Sequence, residues 1–280
     1  MAIVFVIVVY PFIYMLSSSL SNALYLRGGL LIFPRRITLE TYKTILKNPD
    51  VLRYAFISIS RSVLGTAITI LITSMAGYAL SKGKVPGIKL LRKLIVFTMY
   101  FGLGLIPVYL LVRFLGLVGT FWVYIIPSLA SVFGIVLVRA YVEQLPPSLE
   151  EAALMDGASE FQSFWRIVFP MCLPVVAALS LFTFVGHWNA YFDTLLYNFA
   201  NRELFTLQYY LYMMLTSKSA RTLMEANEMG QRQQAGVGGM ISTKTLTMAM
   251  TVISTLPILV VFPFLRKYIK SGLLLGSIKG

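Results

Sequence analysis

Long apolar runs recur along this chain, at 1–16, 58–80, 94–112, 121–138, 171–188 and 245–265. Within each run apolar residues follow one another without the alternation of a half-buried strand. A bilayer crossing needs about 20 apolar residues in a helix. Only helices or closed barrels satisfy every backbone group there. The stretch 94–138 has Arg113 as its one charged residue. As a single helix it would be roughly 67 Å long, against a hydrocarbon core of about 30 Å. It is therefore read as two spans with a turn at 113–120, where Gly116 and Gly119 stand. Pro107 and Pro127 then fall inside spans and predict kinks. The pattern predicts an all-α, polytopic membrane protein with six transmembrane helices and one transmembrane domain, 1–280. The first run could be a secretory signal, but no Lys or Arg precedes its apolar core.

Composition strengthens this reading. Of 280 residues, 58% are hydrophobic and 12% charged, where a soluble domain carries about 25% charged residues. The formal charge of +13 fits basic cytoplasmic loops better than a nucleic-acid surface, which would need a soluble domain to carry it. An anionic substrate is a third reading. Lys82, Lys84, Lys89, Arg92 and Lys93 follow the second run, and Arg266, Lys267, Lys270 and Lys279 follow the sixth. Both groups share one side in a six-span arrangement, which the positive-inside rule makes cytoplasmic, with both termini. Six Lys or Arg in the outer loop 17–53 weaken that signal.

The loop 143–170 differs from the others. Two prolines, Pro146 and Pro147, precede Ser148, and Glu151 follows three residues later, the spacing of a capping box. Gly157 suits the left-handed residue that ends a helix. Ser159 with Gln162 repeats the capping spacing. Phe161, Phe164, Trp165 and Val168 recur as one helical face. The loop is read as two short helices forming a compact protrusion.

The order Glu151-Ala152-Ala153, Gly157, Ile167 and Pro170 resembles the EAA loop of ABC importer permeases, with Phe169 where that motif usually has Leu. The first span's Tyr10-Pro11-Phe12, the segment 38–42, the fifth-span residues 186–189 and 193–197 and the tail are similar to the maltose-type carbohydrate uptake family. The tail resembles a subgroup for oligosaccharides and polysaccharide fragments that includes alginate importers. The resemblance implies a type I permease fold in a bacterial inner membrane. It also implies a second permease subunit, two cytoplasmic ATPase subunits and an extracytoplasmic substrate-binding protein as partners. Glu150, Glu151, Ala152, Ala153, Asp156 and Gly157 would dock the ATPase, which would hold ATP and Mg. Glu151 and Gly157 could equally serve only to cap and end their own helix.

No cofactor, metal or catalytic residue is expected on this chain. The nearest approach to a phosphate loop, 238–245, has Thr243 where the second glycine is required. Cys172 and His187 are the sole residues of their kinds, too few for a metal site. Trp188, Asn189, Tyr191 and Asp193, at the outer end of the fifth span, are candidates for the substrate path. An interfacial aromatic belt would use the same residues. The long outer loop 196–243 is the expected contact for the binding protein. The rival reading is an ATP-independent transporter or channel. Such proteins carry ionisable groups deep in the membrane, whereas here Arg61 and Arg113 stand at the edges of apolar runs.

Overall fold

The computed structural model describes residues 2–26, 32–83, 86–216 and 242–276. Lys84, Lys279 and residues 217–241 of the long loop 196–243 lie outside the described residues, the first half of the phosphate-loop approach among them. Regular structure among the described residues is helical. In chain order it comprises α1 (Ala2–Ser19), α2 (Glu40–Lys47), α3 (Pro49–Ser81), α4 (Ile88–Thr98), α5 (Leu105–Phe114) and α6 (Val132–Val142). Then come α7 (Pro147–Met155), α8 (Glu160–Ser163), α9 (Phe169–Met171), α10 (Leu173–Asn189), α11 (Phe192–Tyr197), α12 (Leu207–Thr216) and α13 (Thr243–Gly276).

Among the described residues two helices are long and apolar enough to cross a membrane, α3 and the Lys244–Pro263 part of α13. Two bent pairs pass the same test together, Phe121–Ser128 with α6 (48°) and Glu160–Met171 with α10 (79°). Val4–Ser19 and Leu105–Phe114 are apolar but shorter.

Prolines explain where these helices differ from the predicted spans. The predicted span 94–112 is not one helix. α4 stops at Thr98, and α5 begins after Gly104, whose φ of 76° is left-handed. Pro107 lies in the first turn of α5, where a missing N–H costs nothing. It starts a helix rather than kinking one. The predicted span 121–138 opens as two 3-10 turns around Pro127. Ser131 then caps α6, its hydroxyl accepting from the Gly134 amide at 3.1 Å. Gly116 (φ 68°) and Gly119 (φ 80°) form the expected turn after α5.

The chain divides into two compact units, 1–58 with 201–259 and 59–200 with 260–280. α3 and α13 each run through a division point, so apolar runs alone give no boundary.

In the first unit the serines at the end of α1 and just beyond it organise the segment that follows. Ser17 donates to the Ile32 carbonyl at 2.7 Å, and Ser21 accepts from the Arg35 amide at 2.9 Å. Ser19 and Tyr42 share a hydrogen bond of 2.6 Å. Tyr54 packs against Phe205 and Tyr210, with ring centroids 5.7 and 5.3 Å apart. Ser58 accepts from the Leu207 amide at 2.8 Å, fixing the start of α12.

The second unit has its core where α3, α6 and α10 meet. Ile70, Tyr78, Val138, Phe164, Val168 and Leu179 are buried there with Cys172. Small residues permit close approach of α3 to α6. A Cβ on Gly77 would lie 2.8 Å from Val138 Cβ, and one on Gly134 would lie 2.8 Å from Thr73 Cγ2. Membrane helices commonly use small residues in this way, because lipid tails provide no hydrophobic drive for helices to associate.

Candidate functional site

The loop 143–170 folds as two short helices and a widened turn. α7 begins at Pro147, in the first helical position, with Pro146 extended before it (φ −60°, ψ 120°). The expected Ser148–Glu151 capping box is absent. Ser148 is already inside the helix, and no side chain caps α7. The prolines start it instead, one by preset φ and the other by lacking an amide to satisfy.

α7 ends as the sequence indicates. Gly157 adopts φ 84°. The Gly157 amide donates to the Leu154 carbonyl at 3.1 Å, and the Ala158 amide to the Ala153 carbonyl at 3.0 Å. Those two bonds make a Schellman motif. Ser159 then caps α8 with both bonds of a capping box, to Gln162 Oε1 (2.9 Å) and from the Gln162 amide (3.3 Å).

The expected aromatic face is altered. Phe164–Val168 is π-helical, with the Phe169 amide donating to the Phe164 carbonyl five residues back. Phe164 and Val168 are buried, whereas Phe161 and Trp165 are exposed. The wider turn rotates two of the four predicted residues out of the core.

The candidate docking residues divide into two sets. Glu151, Ala152, Asp156 and Gly157 are exposed, Ala153 is half-buried, and α7 has no buried residue. Met155, beside them, is 88% exposed. Glu150 instead turns inward, where the Lys82 ammonium, just past the end of α3, pairs with it. The same ammonium reaches Glu160 Oε2 at 2.7 Å. The Tyr78 hydroxyl is within hydrogen-bond distance of Glu150 and lies 2.8 Å from Glu160 Oε2. Lys82 also stands 4.5 Å from the centre of the Tyr78 ring. Tyr78 and Lys82 are four residues apart on one helical face, a spacing that marks them as a pair. Nothing in the sequence says which carboxylates they meet. A cavity of about 710 Å³ opens beside this cluster, lined by Tyr78, Lys82, Leu149, Glu150 and Ile167 among others.

The substrate-path candidates also separate. Trp188 is 1% exposed and stacked on Phe184 with ring centroids 6.4 Å apart. Asn189 and Tyr191 are exposed. Asp193 pairs with both terminal nitrogens of Arg61, which also donates to the Ala190 carbonyl at 3.1 Å. Arg61 stands 4.4 Å from the Tyr124 ring centre. Sequence reasoning missed this pair. Arg61 looks like the edge of an apolar run, but it is a buried ionic group within α3. A neighbouring cavity of about 420 Å³ is lined by Arg61, Tyr124, His187 and Asp193 among others. Gly65 admits His187 there, since a Cβ would come within 2.7 Å of its Nε2.

Helices long and apolar enough to cross a membrane fit a membrane-embedded protein, and comparison with known proteins gives the family. Residues 79–275 match the family described as "Binding-protein-dependent transport system inner membrane component", and the chain belongs to that family. It is 38% identical over 275 residues to Protein LplC of Bacillus subtilis, covering 98% of this chain and 90% of that one. It is 31% identical to the polygalacturonan/rhamnogalacturonan transport system permease protein YtcP of the same organism, covering 98% and 93%. Among solved structures it resembles a chain of a bacterial ABC transporter involved in the import of the acidic polysaccharide alginate. The TM-score is 0.84 at 29% identity, covering 95% of this chain and 92% of that one.

Proposed function

We propose that this chain forms half of the translocation path for a carbohydrate and is driven by cytoplasmic ATPase subunits that seat on α7. The observation that carries this reading is the exposed side of α7, where Glu151, Ala152, Met155, Asp156 and Gly157 stand free of the chain's own core. A short helix held at both ends, with small residues outward, fits a groove in a partner. Rigid-body movement of that partner can then pass into the helices. ATP and Mg belong to the ATPase subunits, and this chain contributes no catalytic group. A second permease subunit completes the path, and an extracytoplasmic binding protein delivers the substrate. The loop 143–170 and both termini face the cytoplasm of a bacterial cell.

The cargo is an oligosaccharide, acidic ones included. Relatives named for polygalacturonan/rhamnogalacturonan and for alginate support this. Asn189 and Tyr191 are the substrate-path candidates with side chains at the surface. Trp188 and Asp193 act behind them, shaping the end of α10. Asp193 neutralises Arg61. The match to a binding-protein-dependent transport family favours the ATP-driven reading over an ATP-independent transporter.

The test is purification of the tagged chain from its native membrane, with intact-mass identification of what accompanies it. An ATPase at one copy per permease chain, with a second permease of similar size, is expected. A chain that emerges alone from gentle detergent contradicts the reading.

A further inference from the structure

The geometry points to Lys82 as the positioning residue that makes α3 and the docking helix α7 move together, with Tyr78 and Glu150 as its partners. The inference rests on the reading that α7 receives the ATPase. It departs from that reading at Glu150, which serves inward attachment rather than the partner surface.

Three observations carry it. Lys82 bridges two carboxylates on different helices of the loop, Glu150 on α7 and Glu160 on α8. One ammonium therefore holds both halves of the protrusion against one end of α3. Tyr78, one turn earlier, reaches the same two carboxylates. Its ring packs on Phe164 at 5.2 Å, so the polar contact is backed by the core. The attachment is also stiff on the loop side. The Schellman turn at Gly157 and the capping box at Ser159 fix Glu160 relative to Glu150. A force on α7 thus reaches α3 through charge-assisted bonds. No side chain of α7 is fully buried in the unit.

Glu150 and Glu151 are adjacent in sequence, and a helix turns about 100° per residue. That rotation lets one carboxylate face α3 while its neighbour faces outward. Two adjacent acidic residues thereby take separate tasks, attachment and docking.

The experiment uses the complex as it co-purifies, in lipid nanodiscs, with hydrogen exchange read by mass spectrometry before and after trapping with ATP and vanadate. In the wild type, exchange should change in 147–155 and in 74–82 together. In Lys82→Met the response of 147–155 should persist while that of 74–82 is lost, and Lys82→Arg should restore it. Unchanged exchange elsewhere checks that the variant is folded. Tyr78→Phe, which keeps the ring, should weaken the 74–82 response without abolishing it. Persistence of the full 74–82 response in Lys82→Met overturns the proposal. A wild type in which 147–155 does not respond at all instead contradicts the docking reading, and the proposal falls with it.

Discussion

Arg61 and Asp193 form a bidentate ion pair between α3 and α11, with the Arg61 side chain only 2% exposed. Taking Arg61 and most of Asp193 out of water costs several kcal/mol per fully buried ion, and their attraction does little more than offset this. The pair is therefore a poor source of net stability but a strong constraint on which residues meet. Arg61→Met alone should destabilise the chain by about 3–5 kcal/mol, because Asp193 is left without its counter-charge. The double variant Arg61→Met, Asp193→Leu should recover most of that loss. Thermal unfolding in detergent, followed by exposure of Cys172 to a thiol dye, measures both. Equal loss in the single and double variants would show that the pairing is irrelevant.

Two serines separate what spacing suggests from what the backbone uses. Ser159→Ala removes a working cap and should cost about 1 kcal/mol. Ser148→Ala, inside α7 and without a cap bond, should be close to neutral. Amide exchange across 147–163 distinguishes them. Increased exchange in α8 for the first variant alone is expected.

Gly157 has φ 84°, a conformation that costs an L-residue with a Cβ roughly 1–2 kcal/mol. No atom lies near the missing Cβ, so the effect of Gly157→Ala is one of backbone strain alone. The variant should insert normally while its protrusion becomes more sensitive to protease. Unchanged cleavage around 155–160 would count against the strain.

Gly77 tests the approach of α3 to α6. A side chain there meets Val138 Cβ at 2.8 Å, and overpacking of this kind costs typically about 1–3 kcal/mol. Gly77→Leu should lower the midpoint of thermal unfolding, and adding Val138→Ala, which removes the Cγ1 that also lies 2.8 Å from the new Cβ, should return part of it. No recovery in the double variant would place the clash elsewhere.

The residues show why some features were legible in the sequence and others were not. The all-helical membrane class, the Gly157 stop and the Ser159–Gln162 box follow from local chemistry, and the structure contains each of them. The break at 99–104 escaped because hydropathy measures apolarity and is blind to backbone continuity. α4 ends at Thr98, and Gly104 and Pro107 start α5, without any charged residue between. The outward turn of Phe161 and Trp165 escaped because a 3.6-residue period does not foresee a π-helical turn. The pairs Arg61–Asp193 and Lys82–Glu150 join residues 132 and 68 positions apart. One sequence holds no signal for such partners beyond the charges themselves.

The central claim is that a partner ATPase seats on α7, and Met155, 88% exposed beside the candidate docking residues, is the place to probe it. A photo-crosslinking amino acid at position 155 should capture an ATP-binding subunit in native membranes. The same group at Phe133, which is exposed on α6, should not. Capture at 155 alone is the expected result. No nucleotide-binding protein captured at 155, or equal capture at 133, would contradict the account.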